Sequence, residues 1–313
     1  MATPSVPKDP CPVGMRGIVP SLNVPYAADG SLDIEAIKRQ ARLAVEAGCA
    51  GVLINAIAGE TGALNVPEKQ TVLESVLEGV AGRIPVIAGV SHDNRSERLA
   101  LASMAKQSGA SWMLCQPPAG VHGDTLKGLL EELASQGPPN LMLQDLDWNG
   151  PGYSLEEITG LFDRLPAFRA LKIETVPSGP KYTQVLQATG GRLHVSGGWA
   201  VQQMMEALRR GVHAFIPSTM EVLYCRVYQD FQQGREEEAR SLFEEMLPVL
   251  AFSNSHIHVA LRFFKRLRHR EGVFATDTVR PPVPELDAWQ SHEAERQVNR
   301  VLALKARLSK HKG

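Results

Sequence analysis

The residue with the most chemistry to offer in this 313-residue chain is a lysine inside an apolar run, Ala170-Leu171-Lys172-Ile173-Glu174. Burial disfavours an ammonium, and a neutral amine attacks carbonyl carbons. If the run is a strand, alternate side chains share a face. Leu171 and Ile173 then suit packing against helices, while Ala170, Lys172 and Glu174 point the other way. The same residue types allow a structural alternative, in which Lys172 is an ion-pair partner of Glu174 or of another carboxylate and does no chemistry.

Positioning such a lysine requires a framework, and the rest of the chain supplies one. Short apolar runs recur at GIVPSL, AGVLINA, PVIAGV, SWMLCQ, NLMLQD, ALKIE, LHVSG and AFIPS. Between most of them lie stretches with helical spacing, such as Asp33–Ala47, Pro67–Ala81, Arg95–Ser108 and Ala200–Arg210. Glycine follows the last turn at Gly48, Gly82, Gly109 and Gly211. Asp33 and Ser154 stand where N-caps belong, and Ser154-Leu-Glu-Glu157 fits a capping box. Continuous apolar strands alternating with helices imply a parallel sheet covered on both faces. An open doubly wound sheet is the alternative, but eight β/α units without GxGxxG after the first strand favour a closed α/β (β/α)8 TIM barrel. The spacing predicts an N-terminal tail over 1–14, the barrel over 15–232, and a C-terminal helical extension over 233–313 packed on it. In such a barrel, Lys172 would face the lumen near the mouth, where active sites lie.

Bulk properties narrow the function classes. Hydrophobic residues make up 43% and charged residues 21%, with a formal net charge of −1. That balance builds a core but offers no sequence-wide attraction to nucleic acid or anionic lipid. The N-terminus lacks the apolar segment of a signal peptide, and no run approaches the ~18 apolar residues of a membrane span, so a cytoplasmic protein is expected. Cys11, Cys49, Cys115 and Cys225 form no CxxC and read as free thiols. His194 reads as a core histidine. His256 and His258, two apart on an expected helix, should not share a face, which argues against a metal pair. The basic run Lys265–Arg270 reads as a solvated helix face near a C-terminus.

Several segments, in order, resemble the dihydrodipicolinate synthase/N-acetylneuraminate lyase family of class I Schiff-base (β/α)8 barrels. They are GIVPSLNVPYAADGSLD, GETGALNVPEK, GRIPVIAGV, GASWMLCQPP, ALKIE and HVSGGW, spread over roughly residues 15–250. The resemblance implies that Lys172 forms an imine with the ketone of a small 2-oxo acid such as pyruvate. The imine is then the electron sink, so no metal or organic cofactor is implied. It further implies that Gly59 and Glu60, with Ala58 and Thr61 beside them, lie in the loop next to the substrate carboxylate. Ser196, Gly197 and Gly198 match the loop after strand seven, where Trp199 either walls the substrate or starts a helix, and Ile216 matches a position near the imine. A homo-oligomer, dimer or tetramer, is the expected state.

Departures from the family pattern carry equal weight. The proton-relaying tyrosine near the end of strand five is replaced by Leu143-Gln144-Asp145. The usual two threonines are Ile57 and Ala58, the tyrosine after strand four is absent from Gln116-Pro-Pro-Ala-Gly120, and the expected arginine is Asn149. Gln144 orients a water or hydroxyl but is no acid or base near neutral pH, so Asp145 or Glu174 must carry the proton. Gln144-Asp145 together with Lys172-Ile-Glu174-Thr175 is similar to 2-keto-3-deoxy sugar acid dehydratases. The expected activity is therefore a lyase, dehydratase or aldolase; a true dihydrodipicolinate synthase and a catalytically silent 2-oxo acid binder are the alternatives.

Overall fold

A computed structural model describes residues 14–198 and 201–310. Strands and helices alternate as β1 (Gly17–Ile18), α1 (Ile34–Glu46), β2 (Val52–Ile54), α2 (Val66–Val80), β3 (Val86–Gly89), α3 (Arg95–Gln107), β4 (Trp112–Cys115) and α4 (Gly123–Gln136). The alternation continues with β5 (Asn140–Asp147), α5 (Leu155–Arg164), β6 (Phe168–Thr175), α6 (Ser178–Ala188), β7 (His194–Gly197), α7 (Met204–Arg209), β8 (Ala214–Phe215) and α8 (Glu221–Gln232). Helices α9 (Glu236–Ser253), α10 (Ile257–Arg270) and α11 (Ala288–Lys310) follow. No helix among the described residues is long and apolar enough to cross a membrane.

The strands form one sheet in the order β1-β8-β7-β6-β5-β4-β3-β2, parallel at each pair from β3 to β8. Just after β1, Ser21 bridges Leu53 of β2 in the parallel sense, and the Leu22 N–H donates to Leu53 O at 2.8 Å. This is the expected (β/α)8 barrel with helices appended. Its helix starts follow the local chemistry. Asp33 accepts from the Ala36 N–H, and Ser154 forms the capping box with Glu157. A second capping box, Asn65 with Glu68, starts α2. Each such cap is worth about 1 kcal/mol.

By compactness the chain forms two units. One joins Ile87–Ile216 to the described residues up to Gly17, and the other joins Ile18–Val86 to the described residues from Pro217 onward.

The first unit carries β4 to β8. All of β4 is buried, and so is β6 apart from Arg169. His194 is fully buried, with its Nε2 on the Met15 carbonyl at 2.7 Å, as a core histidine should be. Its ring lies 5.3 Å from that of His213, whose Nδ1 accepts from the Val195 N–H. Burial pushes His194 down to about 4 and His213 to about 3. Both folded values lie below the unfolded value, so the unfolded chain takes up protons first as acid is added. Stability contributed by the neutral rings is complete above the unfolded value and is lost as the pH falls from about 6.5 towards 4, by roughly 3 kcal/mol for His194 alone. Urea denaturation is expected to show the midpoint dropping between pH 7 and pH 5, and the drop shrinking in His213→Asn.

The second unit carries α1, α2 and α8 to α11. Gly79 lets α2 press against α1; a Cβ there would lie 2.8 Å from both Ala41 Cβ and Lys38 O. The thiols of Cys49 and Cys225 meet at 3.9 Å and, with Cys115 of the first unit, are free and buried. Cys11 lies outside the described residues.

Two expectations about α10 are overturned. Lys265 and Arg268 are buried to 0% and 1% exposure and are no solvated face. Arg268 grips both oxygens of Glu221 at 2.8 Å and Glu271 at 3.0 Å. Burial opposes ionisation of Glu221, yet Arg268 outweighs it and holds that carboxyl below its ordinary range. The two residues belong to the stripe Leu261, Phe264, Lys265, Arg268, whose i, i+3, i+4, i+7 spacing marks the face that packs inward. His256, in turn, is the N-cap of α10 with an extended backbone, so its Nδ1 reaches that of His258 at 2.6 Å. The rule that i and i+2 diverge applies only inside a helix.

Candidate active site

The site in the first unit is built across three adjacent strands. Register pairs Gln144 of β5 with Lys172 of β6, and Lys172 with Ser196 of β7. Strand alternation then puts Met142 and Gln144, Ala170, Lys172 and Glu174, and His194 and Ser196 in neighbouring rows on one face. Lys172 and Glu174 are buried, and Lys172 Nζ lies 3.3 Å from Glu174 Oε2. That same oxygen accepts a hydrogen bond from Gln144 Nε2 at 2.5 Å. The structure thus brings together an amine, a carboxylate and an amide that orients the carboxylate.

Glycine after β7 is a geometric requirement. A Cβ on Gly198 would lie 2.0 Å from Glu174 Oε1 and 2.5 Å from Lys172 Cε. Neither contact is tolerable, so the backbone at Gly198 defines one wall against which amine and carboxylate rest. Gly198→Ala is expected to lower kcat/KM about 100-fold, since a displacement of about 1 Å at a reacting group costs that much, while the protein stays folded. Steady-state rates and a thermal melt check this. Gly197 lies on the other side of β7, where a Cβ would meet Tyr182 Oη at 2.8 Å. Ser196 is fully buried, its Oγ on Leu171 O at 3.5 Å, and the Ile216 N–H donates to Gly197 O at 2.8 Å. Trp199 lies outside the described residues.

Asp145 does not join the cluster. It pairs with Ile173 in register, hence faces away from Gln144, and its carboxylate meets Lys181 Nζ at 2.5 Å and the Tyr153 N–H at 3.0 Å. Burial raises its carboxyl above the ordinary range, with Lys181 pulling the other way. Adjacent residues in a strand cannot share a face, so of the two candidate proton carriers only Glu174 touches Lys172.

The second unit holds the loop between β2 and α2, where two 3-10 turns, Ile57–Gly59 and Thr61–Ala63, meet at Glu60. Ala58 O accepts from Asn23 Nδ2 at 2.7 Å, and Gly59 sits so close to Leu22 that a Cβ would be 3.1 Å from its carbonyl. Glu60 is buried; its carboxylate pairs with Lys265 and accepts from the Arg280 N–H at 2.9 Å. Burial pulls the Lys265 amine down to about 8, against the attraction of Glu60. These partners of Glu60 went unread in the sequence. The helical stripe containing Lys265 was the available signal; nothing local announces Arg280.

With strands, lysine and loop in place, comparison with known proteins is decisive. The profile of the Dihydrodipicolinate synthetase family matches residues 14–301. The chain belongs to this family. Like its members, it is a class I lyase. It is 26% identical to an L-2-keto-3-deoxyarabonate dehydratase of Azospirillum brasilense, over 87% of this chain and 89% of that one. It is also 26% identical to a 4-hydroxy-tetrahydrodipicolinate synthase of Pelobacter propionicus, over 75% and 81%. Among solved structures, a Ruminococcus gnavus sialic acid aldolase superposes with TM-score 0.84 at 20% identity, covering 94% of this chain and 99% of that one. A dihydrodipicolinate synthase from Rhodopseudomonas palustris gives 0.83 at 21%, covering 91% and 97%. At such identities the structural matches speak for the fold alone.

Proposed function

We propose that this family member is a dehydratase acting on a small 2-oxo acid with a hydroxyl β to the reacting carbon, through an imine on Lys172. The observation that carries the reading is the contact of Lys172 with a carboxylate, Glu174, that is itself held by Gln144. Gln144 stands on the strand where the resemblance leads one to expect a relaying tyrosine, and Glu174 takes over the proton.

In this reading Glu174 first accepts a proton from the Lys172 ammonium, and the amine adds to the C2 ketone. Glu174 returns that proton to the C2 oxygen, whose loss as water leaves the protonated imine and an ionised Glu174. The imine acidifies C3, Glu174 removes a C3 proton, and the C–H electrons become the enamine. The enamine expels the C4 hydroxyl, which leaves as water with the proton Glu174 had gained. Hydrolysis of the resulting imine frees Lys172 and the dehydrated 2-oxo acid. No carbon–carbon bond is made or broken. Ser196, Gly198 and Ile216 are assigned to the neighbourhood of the imine. A homo-oligomer, dimer or tetramer, accompanies the assignment.

The test is to incubate the protein with pyruvate or with a 2-keto-3-deoxy sugar acid, reduce with borohydride, and weigh the intact chain. A mass increase mapped to Lys172, with water loss and no aldehyde from the sugar acid, supports the dehydratase. Release of an aldehyde assigns the aldolase reaction instead. Absence of an adduct with any 2-oxo acid leaves a silent binder and sinks the proposal.

A further inference from the structure

The second unit is made of two stretches of chain, Ile18–Val86 and the described residues from Pro217 onward, and a pair of thiols joins them. Cys49 stands just past α1, in a turn where the Gly48 N–H donates to Val45 O and the Cys49 N–H to Ala44 O, both at 3.0 Å. Gly48 has φ 83°, a left-handed backbone that glycine adopts without strain. A Cβ there would come 3.6 Å from Gln229 Nε2, so the turn lies against α8. Cys225 sits on α8 between Glu221 and Gln229, at the i, i+4, i+8 spacing that shares one face. Arg268 anchors that face through Glu221. The two sulfurs are 3.9 Å apart, and each residue is 4% exposed.

Packing alone accounts for a buried thiol, since cysteine behaves as a small apolar residue. It does not account for the space beside this one. A cavity of about 350 Å³ is lined by Cys225 together with Glu221, Gln229, Arg268, Glu271 and Lys305. Its volume and polar lining suit a small uncharged polar molecule. The contact with Cys225, and burial after it, hold the Cys49 thiol well above its ordinary range, so Cys49 keeps its proton. The cavity-facing Cys225 is then the sulfur that an oxidant meets first. We propose that Cys49 and Cys225 are a dithiol that a small peroxide oxidises to a disulfide joining the two stretches of the second unit.

The Cys225 sulfur attacks one peroxide oxygen, the O–O bond breaks, and the departing hydroxide leaves as water with the Cys225 proton. That gives a sulfenic acid on Cys225. The Cys49 sulfur then attacks Cys225 Sγ. The S–S bond forms, the S–O bond breaks, and the second hydroxide leaves as water with the Cys49 proton. Two thiols lose two electrons and the peroxide gains them. The sulfurs must close by about 2 Å, which side-chain rotation supplies. The link spans positions 176 apart, and a closed loop of that length restricts the unfolded chain strongly. The chemistry is independent of that proposed on Lys172.

The test is to treat the folded protein, in a Cys11→Ser background, with excess hydrogen peroxide. The intact mass is expected to fall by two hydrogens, and unreduced peptides to show Cys49 joined to Cys225. The oxidised protein is expected to melt about 5 °C higher, and a dithiol reductant to reverse the shift. Cys115 is the internal control, because burial pushes its thiol up to about 12 and it should stay reduced. In Cys49→Ser, Cys225 has no resolving partner and is expected to go on to the sulfinic acid, a gain of two oxygens. Three results overturn the inference, and all are read on the chain with both thiols, so none depends on that variant folding. They are a link that forms only after urea has unfolded the chain, oxidation of Cys115 as fast as Cys225, and a linked protein that melts no higher than the reduced one.

Discussion

Lys172→Met is expected to abolish turnover, on the order of a 10⁵-fold loss in kcat, and to remove the borohydride-trapped adduct with it. The size follows from the role. Without the amine there is no imine, and without the imine C3 has no electron sink, so the residual rate is what binding alone supplies. Methionine keeps the unbranched stem and fills the space, so packing against Gly198 survives. The loss of charge is felt by Glu174, which keeps its bond from Gln144 but loses the cation 3.3 Å away. A lower melting temperature is therefore expected in a protein that still folds. The decisive control is peptide mapping of any adduct that remains, because three other lysines among the described residues are buried, Lys69 on α2, Lys181 beside Asp145 and Lys265 beside Glu60. An adduct persisting on any of them would transfer the chemistry to that residue.

Glu174→Gln is expected to lower turnover by about 10² to 10⁴-fold, the range for loss of a positioned general acid–base, while trapping with pyruvate persists at a reduced rate. The variant is close to isosteric. Its amide oxygen still accepts from Gln144 Nε2, and Lys172 stays in place, so carbonyl addition continues with solvent taking the proton. Proton removal at C3 and protonation of the departing hydroxyl do not. The split between trapping and turnover separates the two residues: Lys172→Met loses both, Glu174→Gln only the second. Turnover near the wild-type rate in Glu174→Gln would require another proton carrier. Asp145 could not supply it without turning to the opposite face of β5, where Gln144 stands.

Much of this site is legible along the chain because it depends on near neighbours. Alternation within ALKIE places Lys172 and Glu174 on one face, and the capping residues Asp33 and Ser154 mark helix starts through hydrogen bonds three residues long. The same alternation, applied to Leu143-Gln144-Asp145, already separates Gln144 from Asp145. The choice of Glu174 over Asp145 needed the register between β5 and β6, a pairing across strands that no local pattern contains.

The sequence by itself determined the order of strands and helices, the lysine's face and the family. Periodicity and caps act over a few residues, and the family's segments keep their order. Only the tertiary structure decided what each charge meets. Arg280 stands 220 positions along the chain from Glu60 and 212 from Glu68, yet it is bonded to both. A charge in a sequence carries no mark of its partner, because electrostatic attraction depends on distance in space after folding. That is why Lys265 and Arg268, seen in line, look like part of a solvated basic run and are in the fold among its most buried residues.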